Sequence, residues 1–142
     1  MIIVYSYYVL DIVHTGHLLQ MKNSKAIAGK DGKSIVGILT DEAVMEKKPK
    51  LALSFPERME LAAAIKYVDR VVSQKTYSPL PNVMKIRPDI LMESASHDEA
   101  EIDKARKSME SIGGRVIATP YYPGQSSTNI KTAIRKEEKE KF

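Results

Sequence analysis

Cysteine is absent from the 142 residues, which excludes disulfides and thiolate metal sites. No apolar run approaches the roughly 20 residues that a membrane helix needs. The apolar N-terminus lacks a basic n-region and a cleavage site, so it does not read as a signal peptide. The expectation is therefore a cytoplasmic protein with no membrane partner. A basic patch interleaved with aromatics is also missing, so no nucleic-acid partner is expected. The charge excess is small, +4 from 22 basic and 18 acidic residues. Part of it lies in the Lys131–Lys141 tail, which reads as a solvated helix end. Neither GxxxxGK[ST] nor GxGxxG occurs, and no nucleophile stands beside an activating base. That argues against a covalent intermediate. It favours in-line attack of an acceptor oxygen on phosphorus, with the protein supplying position and positive charge.

The length suits a single domain with one substantial core, residues 1–142. Hydrophobic content of 43% and charged content of 28% place the chain among ordinary globular proteins. Short apolar runs alternate with longer helix-like segments. This predicts an α/β fold, a mainly parallel five-stranded sheet with helices on both faces. The strands are read at Ile2–Tyr5, Ser34–Leu39, Val68–Val72, Asp89–Met92 and Arg115–Ala118. One helix runs from Leu18 to about Ala28. Another starts at Ser54 as N-cap, with Pro56 in its first turn and Glu57 three residues after the cap, and continues through Ile65. A charged helix covers Glu99–Ile112, with Gly113-Gly114 as its stop. A last helix runs from Asn129 to about Lys139, capped by Ser127 or Thr128. Val44–Leu53 reads as a loop and Thr76–Met84 as turn-rich, around Pro79 and Pro81.

The stretch Tyr8–His17 sits where a strand passes into a helix. Backbone N–H groups and the helix dipole favour an anion at such a junction. Gly16 has no Cβ to keep a phosphate from the backbone. His14 and His17 fall within one turn and can face the same anion, each offering an N–H donor. Three further clusters fall at strand ends or helix starts on the same edge. They are Thr40-Asp41 with Lys47 and Arg58, Ser94–His97, and Ser126-Ser127-Thr128. Lys47 alone reads as a surface lysine, Arg58 as an exposed ion-pair partner and Ser126–Thr128 as a helix cap. Their coincidence on one edge is what suggests a triphosphate site.

His14-Thr15-Gly16-His17 fits the HxGH signature, and the chain resembles the cytidylyltransferases of the nucleotidyltransferase superfamily. Their other motifs read here as Thr40-Asp41-Glu42, Lys47, Arg58, Tyr67-Val68-Asp69 and Ser126-Ser127-Thr128. The resemblance implies a Rossmann-like sheet, a homodimer, Mg²⁺, and transfer of CMP from CTP to a small phosphonate or phosphate. It implies that His14 and His17 stabilise the α-phosphate and leaving group, and that Lys47 bridges acceptor and α-phosphate. Arg58 and Ser126–Thr128 would hold the β- and γ-phosphates. Val9, Leu10, Asp11, Gly16 and Asp41 would complete the nucleotide site. Metal ligands are left unassigned.

Val36–Asp41, Pro88-Asp89 and Pro120-Tyr121 are similar to the branch associated with phosphoenolpyruvate mutase in phosphonate biosynthesis. One member of that branch acts on 2-hydroxyethylphosphonate in fosfomycin synthesis. Three stretches depart from the family pattern. Tyr8-Val9-Leu10 replaces Gly-Thr/Ser-Phe, Ser94-Ala95-Ser96-His97 replaces Gly-Asp-Asp-Trp, and Tyr121 replaces an arginine. His97, Tyr121 and Tyr122 are the expected acceptor contacts, and 2-hydroxyethylphosphonate is the preferred acceptor. Glycerol 3-phosphate or phosphocholine as acceptor, adenylyl transfer, and a non-catalytic nucleotide-binding protein stand as alternatives.

Overall fold

In the computed structural model, residues 1–47, 50–94 and 97–120 are described. The first strand, β1 (Ile3–Tyr8), reads Ile-Val-Tyr-Ser-Tyr-Tyr and is buried on both faces. That is the pattern of a central strand in a parallel sheet covered by helices on each side. The chain continues through α1 (Thr15–Ala28), β2 (Lys33–Leu39), α2 (Asp41–Met45) and α3 (Phe55–Ala63). Then follow β3 (Arg70–Gln74), α4 (Leu80–Ile86), β4 (Ile90–Ser94), α5 (Glu99–Ser111) and β5 (Arg115–Thr119). The sheet order is β3-β2-β1-β4-β5, and all pairings are parallel. Alternation along the strands divides the core. Tyr8, Val36 and Ile38 pack with Met21 of α1 and Ala62 of α3. Tyr5, Ile35 and Leu91 pack with Val83 of α4 and with Ala105 and Met109 of α5. The predicted five-stranded sheet with helices on both faces is therefore observed.

The chain moves outward from β1 to β3, then returns to lay β4 on the other side of β1. The sheet thus has its switch point between β1 and β4, and ligands of open α/β sheets bind beyond the strand carboxyl ends at that point. The opposite edge is held by two aspartates. Asp69 accepts from Ser34 N and Lys25 Nζ, each at 2.8 Å, and Asp89 accepts from Ile3 N at 2.8 Å. Asp69 of the Tyr67-Val68-Asp69 motif accordingly fastens β2 at its N-terminal end, away from the switch point.

Several boundaries differ from the sequence reading for identifiable reasons. β1 continues to Tyr8 because its outer residues find partners within the sheet and core, Tyr8 against α1 and Tyr7 against β4. The expected loop from Val44 begins inside α2, whose first turn is capped by Thr40 Oγ1 on Ala43 N. Thr76–Met84 contains the start of α4. Pro79 and Pro81 occupy the entrance of that helix, where a missing N–H costs nothing, and Ser78 Oγ accepts from Leu80 N. The capping box at Ser54 and Glu57 is present as predicted. Among the described residues, no helix is long and apolar enough to cross a membrane.

A polar knot sits inside the α4 side of the core. Tyr5 OH donates to Gln74 Oε1 at 2.6 Å and accepts from Asn82 Nδ2 at 2.9 Å. It fits because β2 carries Gly37 opposite it; a Cβ at position 37 would overlap the Tyr5 hydroxyl and ring end. Gly37→Ala should therefore destabilise by about 1–3 kcal/mol, the range for overpacking a filled core. Guanidinium unfolding of the wild type, Gly37→Ala, Tyr5→Phe and the double variant checks this. The Gly37→Ala cost should shrink in the Tyr5→Phe background, because the two groups compete for one space. Additive costs would disprove the clash.

Candidate active site

The chain leaves β1 through Val9, Leu10 and Asp11. Leu10 is buried with φ +62°, the left-handed region that costs a non-glycine residue roughly 1–2 kcal/mol. Two side chains hold this turn. Asp11 accepts from Ala52 N at 2.9 Å and Leu53 N at 2.8 Å, drawing the segment ahead of α3 onto the loop. Arg58 of α3 reaches back. Its Nη1 donates to Val9 O and Leu39 O, both at 2.7 Å, and its Nη2 donates to Asp41 at 2.8 Å. The ends of β1 and β2 and the start of α2 thus meet on one guanidinium.

Arg58, expected on the β- and γ-phosphates and by itself read as an exposed ion-pair partner, is 0% exposed, with its terminal nitrogens on two carbonyls and Asp41. The reason is steric. The first turn of α3 faces the sheet edge, so a long side chain there runs inward along Phe55. Asp11 likewise is buried and accepts from backbone N–H groups. Asp41 keeps its side chain 47% exposed.

His14 and His17 build the start of α1 between them. His14 Nδ1 accepts from Gly16 N at 3.0 Å, and His17 Nδ1 accepts from His14 N at 3.3 Å, forming a capping box from two imidazoles. Their ring centroids are 3.9 Å apart, and His17 also meets the Tyr8 ring edge-on. A neutral imidazole that accepts at Nδ1 must carry its proton at Nε2. Both rings therefore carry their proton at Nε2. The N–H of Gly16, where the missing Cβ was expected to let a phosphate approach, is the one that His14 takes.

Burial lowers the His14 pKa from the ordinary 6.5. The unfolded chain then binds this proton at higher pH than the folded one, so stability rises with pH across the interval. The His14 contribution is full above the ordinary histidine value and is lost as pH falls below it. His14→Asn supplies a cap that does not titrate. Between about pH 8 and about pH 5, around the histidine range, the wild-type melting temperature should fall more than that of His14→Asn. Parallel curves would show that His14 does not resist protonation.

Lys47 follows α2, exposed, with Nζ 5.8 Å from the centre of the Tyr77 ring. Tyr77 and Tyr7 both pack against Leu39, Ala43 and Val44. On this face the structure adds a group the sequence reading missed. Glu93 was read as lying past the end of the fourth strand; it is inside β4 and 3% exposed. Tyr7 OH lies 2.9 and 2.8 Å from its two carboxylate oxygens, and His97 Nδ1 lies 2.7 Å from Oε2. Burial, and then the Glu93 charge, push the Tyr7 hydroxyl far up, so it stays a donor. The available signal was the alternation of β1, which puts Tyr7 on the opposite face from Tyr8. Thr119 ties the neighbouring ends, donating to Glu93 O and accepting from Gln20 of α1, both at 3.1 Å. Tyr121, Tyr122, Ser126, Ser127 and Thr128 lie outside the described residues.

The structure thus brings His14, His17, Asp41, Lys47 and His97 to the carboxyl edge of the sheet. The sequence pattern of the family described as Cytidylyltransferase-like matches residues 9–133. The chain belongs to this cytidylyltransferase-like family. Among its relatives, the bifunctional protein HldE of Acidiphilium cryptum is 33% identical over 127 residues, 88% of this chain. The chain spans only 25% of that relative's length. An FAD synthase of Korarchaeum cryptofilum is 29% identical over 130 residues, covering 89% of this chain and 86% of that protein. A lipopolysaccharide core biosynthesis protein of Thermoplasma volcanium has the same fold, with TM-score 0.69 and 24% identity. The match covers 86% of this chain and 97% of that one. Within the family, HxGH is the nucleotidyltransferase signature, and it falls here on the capping histidines.

Proposed function

We propose that this protein transfers CMP from CTP to a small phosphonate, with 2-hydroxyethylphosphonate as the preferred acceptor. The observation that carries the reading is the paired-histidine cap, which sets two Nε2–H donors at a helix start within a cytidylyltransferase-like chain. An anionic acceptor oxygen attacks the α-phosphorus, the bond from that phosphorus to the bridging oxygen breaks, and pyrophosphate leaves. No proton has to be removed from the acceptor first. His14 and His17 donate to the oxygens on which charge grows, where a positioned donor matters most. Lys47 bridges acceptor and α-phosphate, and Ser126–Thr128 hold the outer phosphates. Arg58 and Asp11 shape the loop beneath.

Mg²⁺ supplies charge neutralisation on the triphosphate. Among the described residues no group of three His, Asp or Glu side chains could hold a metal. A homodimer is part of the proposal through family resemblance alone. Support for the phosphonate comes from the Tyr121 replacement, which removes a cation that could grip a phosphate monoester.

The relative named FAD synthase supports a second reading, adenylyl transfer, since the product in its name is an adenine dinucleotide. The test is pyrophosphate release with CTP or ATP against 2-hydroxyethylphosphonate, glycerol 3-phosphate and phosphocholine. CTP with the phosphonate should give the highest kcat/KM. A clear preference for ATP, or for either phosphate ester, defeats the corresponding part of the proposal.

A further inference from the structure

The chain has only three histidines, and their ring nitrogens are used in opposite senses. His14 and His17 accept at Nδ1 from backbone N–H groups. His97 Nδ1 instead faces a carboxylate oxygen of Glu93 at 2.7 Å. The Tyr7 hydroxyl lies 3.4 Å from the same nitrogen, but its shorter contacts, 2.9 and 2.8 Å, are to the two Glu93 oxygens. Its single proton is committed there. Nδ1 of His97 must therefore supply the proton on the 2.7 Å contact. A neutral imidazole protonated at Nδ1 carries a lone pair at Nε2.

The ring is held in place as well as in tautomer. Tyr7 lies tilted against it at 5.9 Å between centroids, and Tyr5 stacks on Tyr7 from behind. The Glu93 carboxylate is buried, whereas a third of the His97 side chain is exposed. Nε2 is the ring nitrogen that the Glu93 contact does not use. The unit stands at the carboxyl ends of β1 and β4, and Tyr7 packs against the same Leu39–Val44 cluster as Tyr77, whose ring centre lies 5.8 Å from Lys47 Nζ.

We propose that Tyr7, Glu93 and His97 form a recognition unit in which His97 Nε2 accepts a hydrogen bond from a hydroxyl group of the acceptor substrate. His97 is the specificity-determining contact; Glu93 and Tyr7 are positioning residues that act through it. The ligand class is a short phosphonate bearing an alcohol, with the anion toward Lys47 and the hydroxyl toward His97. This rests on the phosphonate reading above and adds which part of the acceptor is read, and by what. A deoxy analogue would leave a fixed acceptor facing the cleft without a donor, and sites built for a hydroxyl reject such analogues strongly.

Two measurements test this. Long-range ¹H–¹⁵N spectra of the ¹⁵N-histidine protein, at a pH where all three rings are neutral, report each tautomer. His14 and His17 should be Nε2–H and His97 Nδ1–H. Glu93→Leu should move His97 to the Nε2–H form. Should that variant not fold, Tyr7→Phe keeps the ring and removes only the hydroxyl, and the unit predicts weaker hydroxyl selection in it. An Nε2–H tautomer at His97 in the wild type overturns the proposal.

The second measurement is the ratio of kcat/KM for 2-hydroxyethylphosphonate over ethylphosphonate. It should be about 10- to 100-fold in the wild type, the scale of one unpaired polar contact. In His97→Ala it should fall to within a few-fold of unity at similar KM for CTP. An unchanged ratio in His97→Ala overturns the proposal. Absence of transfer to every acceptor would instead defeat the functional reading, and the tautomer spectrum would still decide whether the unit is built as described.

Discussion

His14→Asn should leave the protein folded and remove at least ~10²-fold from kcat, the scale for losing one donor to charge that grows in the transition state. Asparagine is among the best helix N-caps, so it replaces the hydrogen bond that His14 Nδ1 accepts from Gly16 N. It has nothing at the position of Nε2. The substitution thus separates the two jobs of one ring. KM for the nucleotide should change far less than kcat, because the donor acts mainly in the transition state. His14→Ala removes both jobs, and its melting temperature should fall further by the worth of a cap, about 1 kcal/mol. Steady-state kinetics beside thermal unfolding of both variants make the comparison. Near-normal turnover in His14→Asn would mean that His14 is only a cap.

The largest loss of stability is expected at Arg58. Arg58→Met is of similar length but strands Val9 O and Leu39 O, both of which receive 2.7 Å bonds from Nη1. Each unmet buried carbonyl costs about 1–3 kcal/mol. The left-handed Leu10 turn also loses its clamp. A total of about 2–5 kcal/mol would lower the melting temperature by roughly 10 °C in a domain of this size. Arg58→Lys should recover little, since an ammonium cannot reproduce the planar fork that meets two carbonyls and a carboxylate together. If Arg58 instead gripped phosphate directly, Arg58→Lys would raise KM for CTP at an unchanged melting temperature. That result would overturn the architectural role.

The sheet was legible because its signals are local. Val36, Ile38 and their neighbours form apolar runs, and Ser54 with Glu57 marks a helix start by spacing alone. The paired histidines were legible for the same reason, lying within one turn. The burial of Arg58 was not legible because nothing in sequence distinguishes an arginine on an open helix face from one folded under the sheet edge. Its carbonyl partners are backbone atoms, and backbone atoms leave no compositional trace. Glu93 was hidden by a two-residue error in the end of β4. A carboxylate beyond a strand reads as solvated, whereas the same carboxylate inside the strand is buried. Tyr7 was passed over because the first strand was ended at Tyr5, which left Tyr7 outside the sheet. Only the pairing of β1 with β4 shows that its hydroxyl meets Glu93. Thr76–Met84 failed for a different reason: proline opens helices as readily as it ends them.

The return of β4 to β1 also bears on how the chain reaches this structure. The bond between Ile3 and Asp89 spans 86 positions in sequence, whereas β1 and β2 are joined by one helix and its turns. Closing a longer loop costs more chain entropy, and distant pairings slow folding. The β1-β2-β3 half, with the His14–His17 cap, is therefore expected to assemble before β4 arrives. Docking of β4 is then the step that delivers Glu93 to Tyr7. The donors proposed for the nucleotide and the acceptor-reading unit would be completed at separate times, with that of His97 waiting on the longest-range event in the sheet.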